Sequence, residues 1–198
     1  MRQPVTRDLY AYWNRLRGAR AAPDRSDIDP AAIRHVLADT FIIEIDQDRL
    51  FPIRLCGTRL NAMWLYDQKG RSFLDLWRAT DRRNVAAALL TVVDGVAPVV
   101  AGARAPAAHR PPMDIELLLL PLRHFGKTHS RLLGSLAPAY QPSWLGLAPS
   151  EPLELHSLRV IADAEQVSLR PPPPSIFAVS PAGGKGPRLV VHDGGKLR

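Results

Sequence analysis

Residues 51–77, FPIRLCGTRLNAMWLYDQKGRSFLDLW, restrict the fold more than any other stretch of the chain. The stretch opens as a strand. Phe51, Ile53 and Leu55 fall on one face, and Pro52, Arg54 and Cys56 on the other. Gly57 breaks the strand, and Thr58 is placed to cap a helical turn carrying Leu60, Met63 and Trp64. A polar turn at 67–70 leads into a second apolar anchor: Phe73, Leu74, Leu76 and Trp77. Together these elements make a wall that encloses a small cavity against a sheet. The stretch contains no acid–base pair, metal cluster or phosphate loop.

The rest of the chain supplies the sheet. Leu9, Tyr12, Trp13 and Leu16 recur at helical spacing, so the spacing predicts an amphipathic helix ending near Gly18. It reads equally as a helix packed on its own domain or as a contact helix, because Tyr and Trp are good interface anchors. A polar connector, 21–28, follows. Asp29-Pro30 then starts a short helix with Ile33, Val36 and Leu37 on its apolar face and His35 toward solvent. Residues 41–46 and 50–56 form a hairpin across Gln47-Asp48-Arg49. Residues 81–94 are the clearest helix, capped by Thr80 or Asp81 and stopped by Gly95.

Three more strands follow. Residues 96–105 are poorly patterned and suit a sheet edge. Residues 113–122 hold the run IELLLLPL and suit a buried strand. Residues 130–138 are the third. The link 124–127 reads as a hairpin loop in which Gly126 can take a positive φ. Pro121 cannot donate to a ladder and marks a bulge or a strand end. Residues 153–161 alternate well enough for one further short strand.

Charge and composition narrow the function. The net charge is +7, but it is uneven. Residues 170–198 hold five basic residues and one acid, or +4, which leaves 21 basic and 18 acidic residues, or +3, for the remaining 169. A mildly basic body gives no case for specific nucleic-acid binding. Eleven of those last 29 residues are Pro or Gly, so a disordered tail is expected there. Cys56 is the single cysteine. It allows no intrachain disulfide and no cysteine-based metal site, and suits a reducing cytoplasm. The start, MRQPVTRDLY, lacks the apolar run of a signal peptide, and no run is long enough to span a bilayer. A cytoplasmic location is the expectation.

No catalytic constellation emerges. Cys56 reads as a small packed hydrophobe, because no base and orienter stand at a defined spacing from it. The histidines form no H-x-x-x-H pair, so no metal site is expected. A single histidine could ligate a haem, but nothing selects one. Asp81-Arg82-Arg83 and Arg131 make at most a surface charge patch. Arg54 sits mid-strand and is best read as a cross-strand partner of Glu44; the alternative is contact with an anionic ligand.

The order is two helices, two strands, short helices, a longer helix and three strands. It resembles a PAS domain: an α+β fold with a five-stranded antiparallel sheet and helices on one face, here with an N-terminal amphipathic helix and a disordered tail. More closely it is similar to a bacterial family of single-PAS proteins. The resemblance rests on YWNRLRGAR at 12–20 with its preceding Tyr10-Ala11, PDRSDIDP at 23–30, RLCGT at 54–58, GRSF at 70–73, and 116–122 followed by 131–134. It covers roughly residues 9–138. The chain departs from the family's aromatic-glycine pair, having Trp64-Leu65-Tyr66 instead. Four parts follow: an N-terminal helix and connector (1–28), a PAS-like domain (29–138), an extension (139–169) and the tail (170–198).

The resemblance implies a non-catalytic sensory or regulatory module. It would act through a signalling partner or a homodimer, with a small apolar ligand left open and no cofactor expected. Cys56 is not in the asparagine-cysteine-arginine setting of the superfamily's flavin-binding light sensors. Arg54, Gly57, Thr58, Leu60, Trp64, Phe73, Leu119 and Leu133 are the expected cavity or fold-motif residues. Leu9, Tyr12, Trp13 and Leu16 are the expected interface. The alternative is a small enzyme or ligand carrier built on a cup-shaped antiparallel sheet.

Overall fold

A strand such as 115–122, apolar at both parities, needs cover on both faces. The computed structural model, which describes residues 1–124 and 127–161, provides that cover. The helices are α1 (Pro4–Arg17), α2 (Thr58–Trp64) and α3 (Arg82–Asp94). The strands are β1 (Thr40–Glu44), β2 (Ile53–Cys56), β3 (Val99–Ala107), β4 (Arg110–His124), β5 (Lys127–Pro138) and β6 (Glu154–Val160). They form one antiparallel sheet in the order β2-β1-β5-β4-β3-β6. The expected five strands are its first five members, and the short strand read at 153–161 adds a sixth.

The inner face carries Phe41, Ile43, Ile115, Leu117, Leu119, Leu132 and Leu136. They share a core with α2, α3 and the 3-10 turn Phe73–Leu76. The outer face carries Ile42, Leu118, Leu120, Leu122 and Leu133, which pack against Leu9, Tyr12 and Trp13 of α1 and against Ile33 and Val36. β4 is therefore a wall between two cores. A bulge between Ile42 and Ile43 leaves Arg54 between two paired residues, because Ile42 pairs with Leu55 while Ile43 pairs with Ile53. The extra residue flips the parity of the strand. Phe51 and Ile53 are buried as expected, but Leu55 is exposed and Cys56 packs against the core.

Several sequence expectations change. Residues 96–105 do not form an edge: β3 lies between β4 and β6, and its small inward residues Ala101, Ala103, Ala105 and Ala107 are buried. Pro121 neither bulges nor ends β4; it pairs with Leu132 past the last β3 pair, Val99 with Leu119, so β4 has only β5 beside it there. Thr58 does not cap α2; Gly57 holds the N-cap position, and α2 has no side-chain cap. Asp29 does cap its turn, accepting from Ala31 N at 2.9 Å. The loop glycine Gly126 and the tail 170–198 lie outside the described residues.

Candidate functional site

The space between the inner sheet face and the helices is filled by the protein's own side chains. Phe41 and Phe73 have ring centroids 5.0 Å apart, and Phe73 and Trp77 6.0 Å. Leu60, Met63, Trp64 and Leu119 complete the packing, all at 6% exposure or less. Within it the Trp77 Nε1 is buried and has no hydrogen-bond partner among the described residues.

The structure brings together only some of the expected cavity residues. Leu60, Trp64, Phe73 and Leu119 meet in the inner core. Leu133 does not join them, because it lies on the outer face. Thr58 is exposed at the start of α2. Arg54 also points away from the interior: its Nε donates to Glu44 Oε2 at 2.7 Å. That hydrogen bond raises the Arg54 pKa, and Arg131 reaches the same oxygen at 3.5 Å. Gly57 acts through close approach. Its amide donates to Thr40 O at 2.8 Å, and a Cβ there would collide with the carbonyl groups of Leu37 and Ala38.

The expected interface is corrected. Leu9, Tyr12 and Trp13 are 0%, 5% and 1% exposed because the sheet's outer face takes them. Trp13 Nε1 donates to Pro121 O at 2.8 Å, and Tyr12 Oη accepts from Asp29 N at 2.7 Å. Leu16 packs partly buried against the same cluster. The helix is core, since its apolar stripe matches the leucines that β4 and β5 leave uncovered.

Two charged arrangements escaped the sequence reading. Asp39 is fully buried and paired with Arg59. Burial raises its carboxyl pKa, and Arg59 acts the other way. The paired residues lie 20 apart in sequence, so no local spacing signals them. Glu116 accepts from Arg2 N at 3.0 and 2.8 Å and from Gln3 N at 3.0 Å, at the start of α1. Burial raises its pKa, but these amides, with smaller contributions from Thr6 and the N-terminal charge, bring the carboxyl below its ordinary value. A carboxylate is well placed at a helix N-terminus.

Beside Glu116 an open groove of about 640 Å³ runs across β3, β4 and β6, with Arg104, Asp114, His156 and Arg159 on its walls. On those walls Arg104 pairs with Asp114 at 3.3 Å, and His156 lies 3.6 Å from Glu154 beside the groove. Burial, with a smaller contribution from Asp67, pushes the Cys56 thiol up to about 12, which suits packing rather than nucleophilic attack. Among the described residues no three His, Cys, Asp or Glu side chains converge as a metal would need, and no helix is long and apolar enough to cross a membrane.

The Rhodobacter sphaeroides LOV protein is 16% identical with a TM-score of 0.43, over 54% of this chain and 61% of that one. The chain thus spans about three fifths of that protein's length. A PAS domain from Colwellia psychrerythraea is 15% identical with a TM-score of 0.42, over 56% of this chain and 97% of that one. A search of the curated proteins finds no match. Residues 1–137 match the PAS domain family. They span α1, the inner cover of α2, α3 and the Phe73–Leu76 turn, and the strands in the order β2-β1-β5-β4-β3, and by that match the chain belongs to the PAS domain family.

Proposed function

We propose that the chain is a non-catalytic sensory or regulatory module that works in the cytoplasm through contact with a signalling partner or a second copy of itself. The observation that carries this reading is the filled interior. Phe41, Leu60, Trp64, Phe73 and Trp77 occupy the place where a catalytic cup would need converging titratable groups. The charged pairs Asp39 with Arg59 and Glu44 with Arg54 serve to join elements.

With α1 buried, contact falls to another surface. Leu65, Tyr66 and Leu147 are 47%, 46% and 77% exposed. Leu65, Tyr66 and Gly146 line a shallow depression of about 420 Å³ beside α2. Leu65 holds a φ of 62°, a conformation that costs an L-residue about 1 kcal/mol or more. Light scattering and native mass spectrometry of the full chain, wild type against Leu65→Asp with Leu147→Asp, test the reading. The expected result is loss of the homodimer or partner complex at an unchanged melting temperature. A wild type that neither self-associates nor loses a partner to these substitutions overturns it.

One observation favours the ligand alternative. A small apolar molecule with a single acceptor would satisfy Trp77 Nε1. A small molecule retained at one per chain in the native mass spectrum would support a carrier.

A further inference from the structure

Residues 139–153 lie wholly beyond the part that matches the family, yet they are tied into the inner core. On one side the strap is held by α2: Gly146 N donates to Ala62 O at 3.2 Å, and Ser150 N to Met63 O at 2.6 Å. On the other it is held by the hairpin between β3 and β4. Ser150 Oγ and Glu151 N donate to Pro106 O at 3.1 and 2.8 Å, and Tyr140 Oη to Pro112 O at 3.2 Å. The strap thus closes the gap between α2 and that hairpin.

Its centre is a single helical turn. Leu147 N and Ala148 N both donate to Trp144 O at 2.9 Å, which presents the Trp144 side chain as a unit. The indole is 2% exposed, belongs to the inner core, and donates from Nε1 to Pro111 O at 3.3 Å. The strap itself contributes little regular structure. Pro142, Pro149 and Pro152 lack amide donors, Leu147 is 77% exposed, and β5 and β6 anchor the two ends. Nine of its fifteen residues are exposed although Trp144 and Leu153 are buried, and segments exposed to that degree between anchored ends open locally before the domain unfolds.

We propose that the gap between α2 and the β3–β4 hairpin is a binding site for a flat aromatic group with one N–H donor, and that the chain fills it with its own Trp144 on a displaceable strap. An external ligand of the indole class takes the site only when the strap has swung away. This rests on the regulatory reading above, because a self-filled site is a two-state element that a contact beside Leu147 can bias. The test requires no partner, so its failure leaves the contact reading standing and points only at the strap.

Two measurements on the full chain decide it. In hydrogen exchange, peptides covering 139–153 should exchange at least about 100-fold faster than those of β4 and β5. Equal protection would make the strap a fixed part of the core and overturn the proposal. In thermal melts, indole at about ten times its Kd should raise the midpoint of Trp144→Ala by roughly 3 to 5 °C and leave the wild type nearly unchanged. A folded Trp144→Ala that ignores indole, or a wild type that responds equally, overturns it. Should Trp144→Ala not fold, Trp144→Leu takes its place in the same melt, with benzene, which matches the smaller space, as the probe.

Discussion

Phe41 and Gly134 stand directly opposite each other in β1 and β5, and the phenyl ring of Phe41 covers the glycine. A Cβ on Gly134 would collide with Phe41 Cε2 and Cζ and lie 2.7 Å from Leu118 O. Gly134→Ala should therefore cost about 2 kcal/mol, since overpacking a filled core costs about that much. Chemical denaturation measures it, and Phe41→Leu in the same chain should recover part of the loss.

Gly57→Val should be more severe. The obstacles at Gly57 are the Leu37 and Ala38 carbonyls, which are backbone and cannot rotate away. Loss of cooperative unfolding is expected in a thermal melt, and an unchanged melting temperature would contradict the close approach of α2 to the turn before β1.

Trp13→Ala should unfold or strongly weaken the domain by about 4 kcal/mol, the usual cost of truncating a buried aromatic. Size-exclusion chromatography with circular dichroism separates this from an interface effect. A variant that stays folded and only changes oligomeric state would return α1 to the surface.

Arg59→Leu should cost about 3 kcal/mol, because it leaves the Asp39 carboxylate buried without its partner. The pH dependence follows from the raised Asp39 pKa. The folded state holds that proton more tightly than the unfolded state, so the stability it contributes is present in acid and lost as pH rises through the raised value. Arg59→Leu should therefore be closer to wild type near pH 4 than at pH 7, and Asp39→Asn should rescue it at pH 7. Melts at the two pH values check both statements.

Glu116 has the opposite sign. Its carboxyl is held below the ordinary 4.5, so its contribution is present above that value and lost as pH falls through the lower folded one. Glu116→Gln should lower stability by roughly 0.5 kcal/mol at pH 7. The wild-type and variant curves should converge below about pH 4.5, as denaturant midpoints across that range will report.

The elements that the sequence made legible are those with a strong period of their own. The α1 stripe of Leu9, Tyr12 and Trp13 identified a helix, and the run IELLLLPL identified a buried strand. The Arg54–Glu44 pair was also readable, since a hairpin places its partners close in sequence. The site was less legible. Leu119 and Leu133 both looked like cavity residues, but pairing across β4 and β5 puts them on opposite faces. Trp144 passed unremarked, although a tryptophan inside PSWLGLAP, among turn-forming residues, was a signal that something holds it.

What residues 1–161 determined by themselves was thus local: which segments become helix or strand, and which face of each is apolar. Three things waited for the tertiary structure. The bulge at Arg54 reversed the sense of β2 and turned Cys56 inward. The uncovered leucines of β4 and β5 claimed α1. The strap brought Trp144 into a core that the first 137 residues leave open to it. Each depends on contacts between segments far apart in sequence. A residue's period shows that it will be buried, but the partner that buries it is chosen only when the sheet assembles.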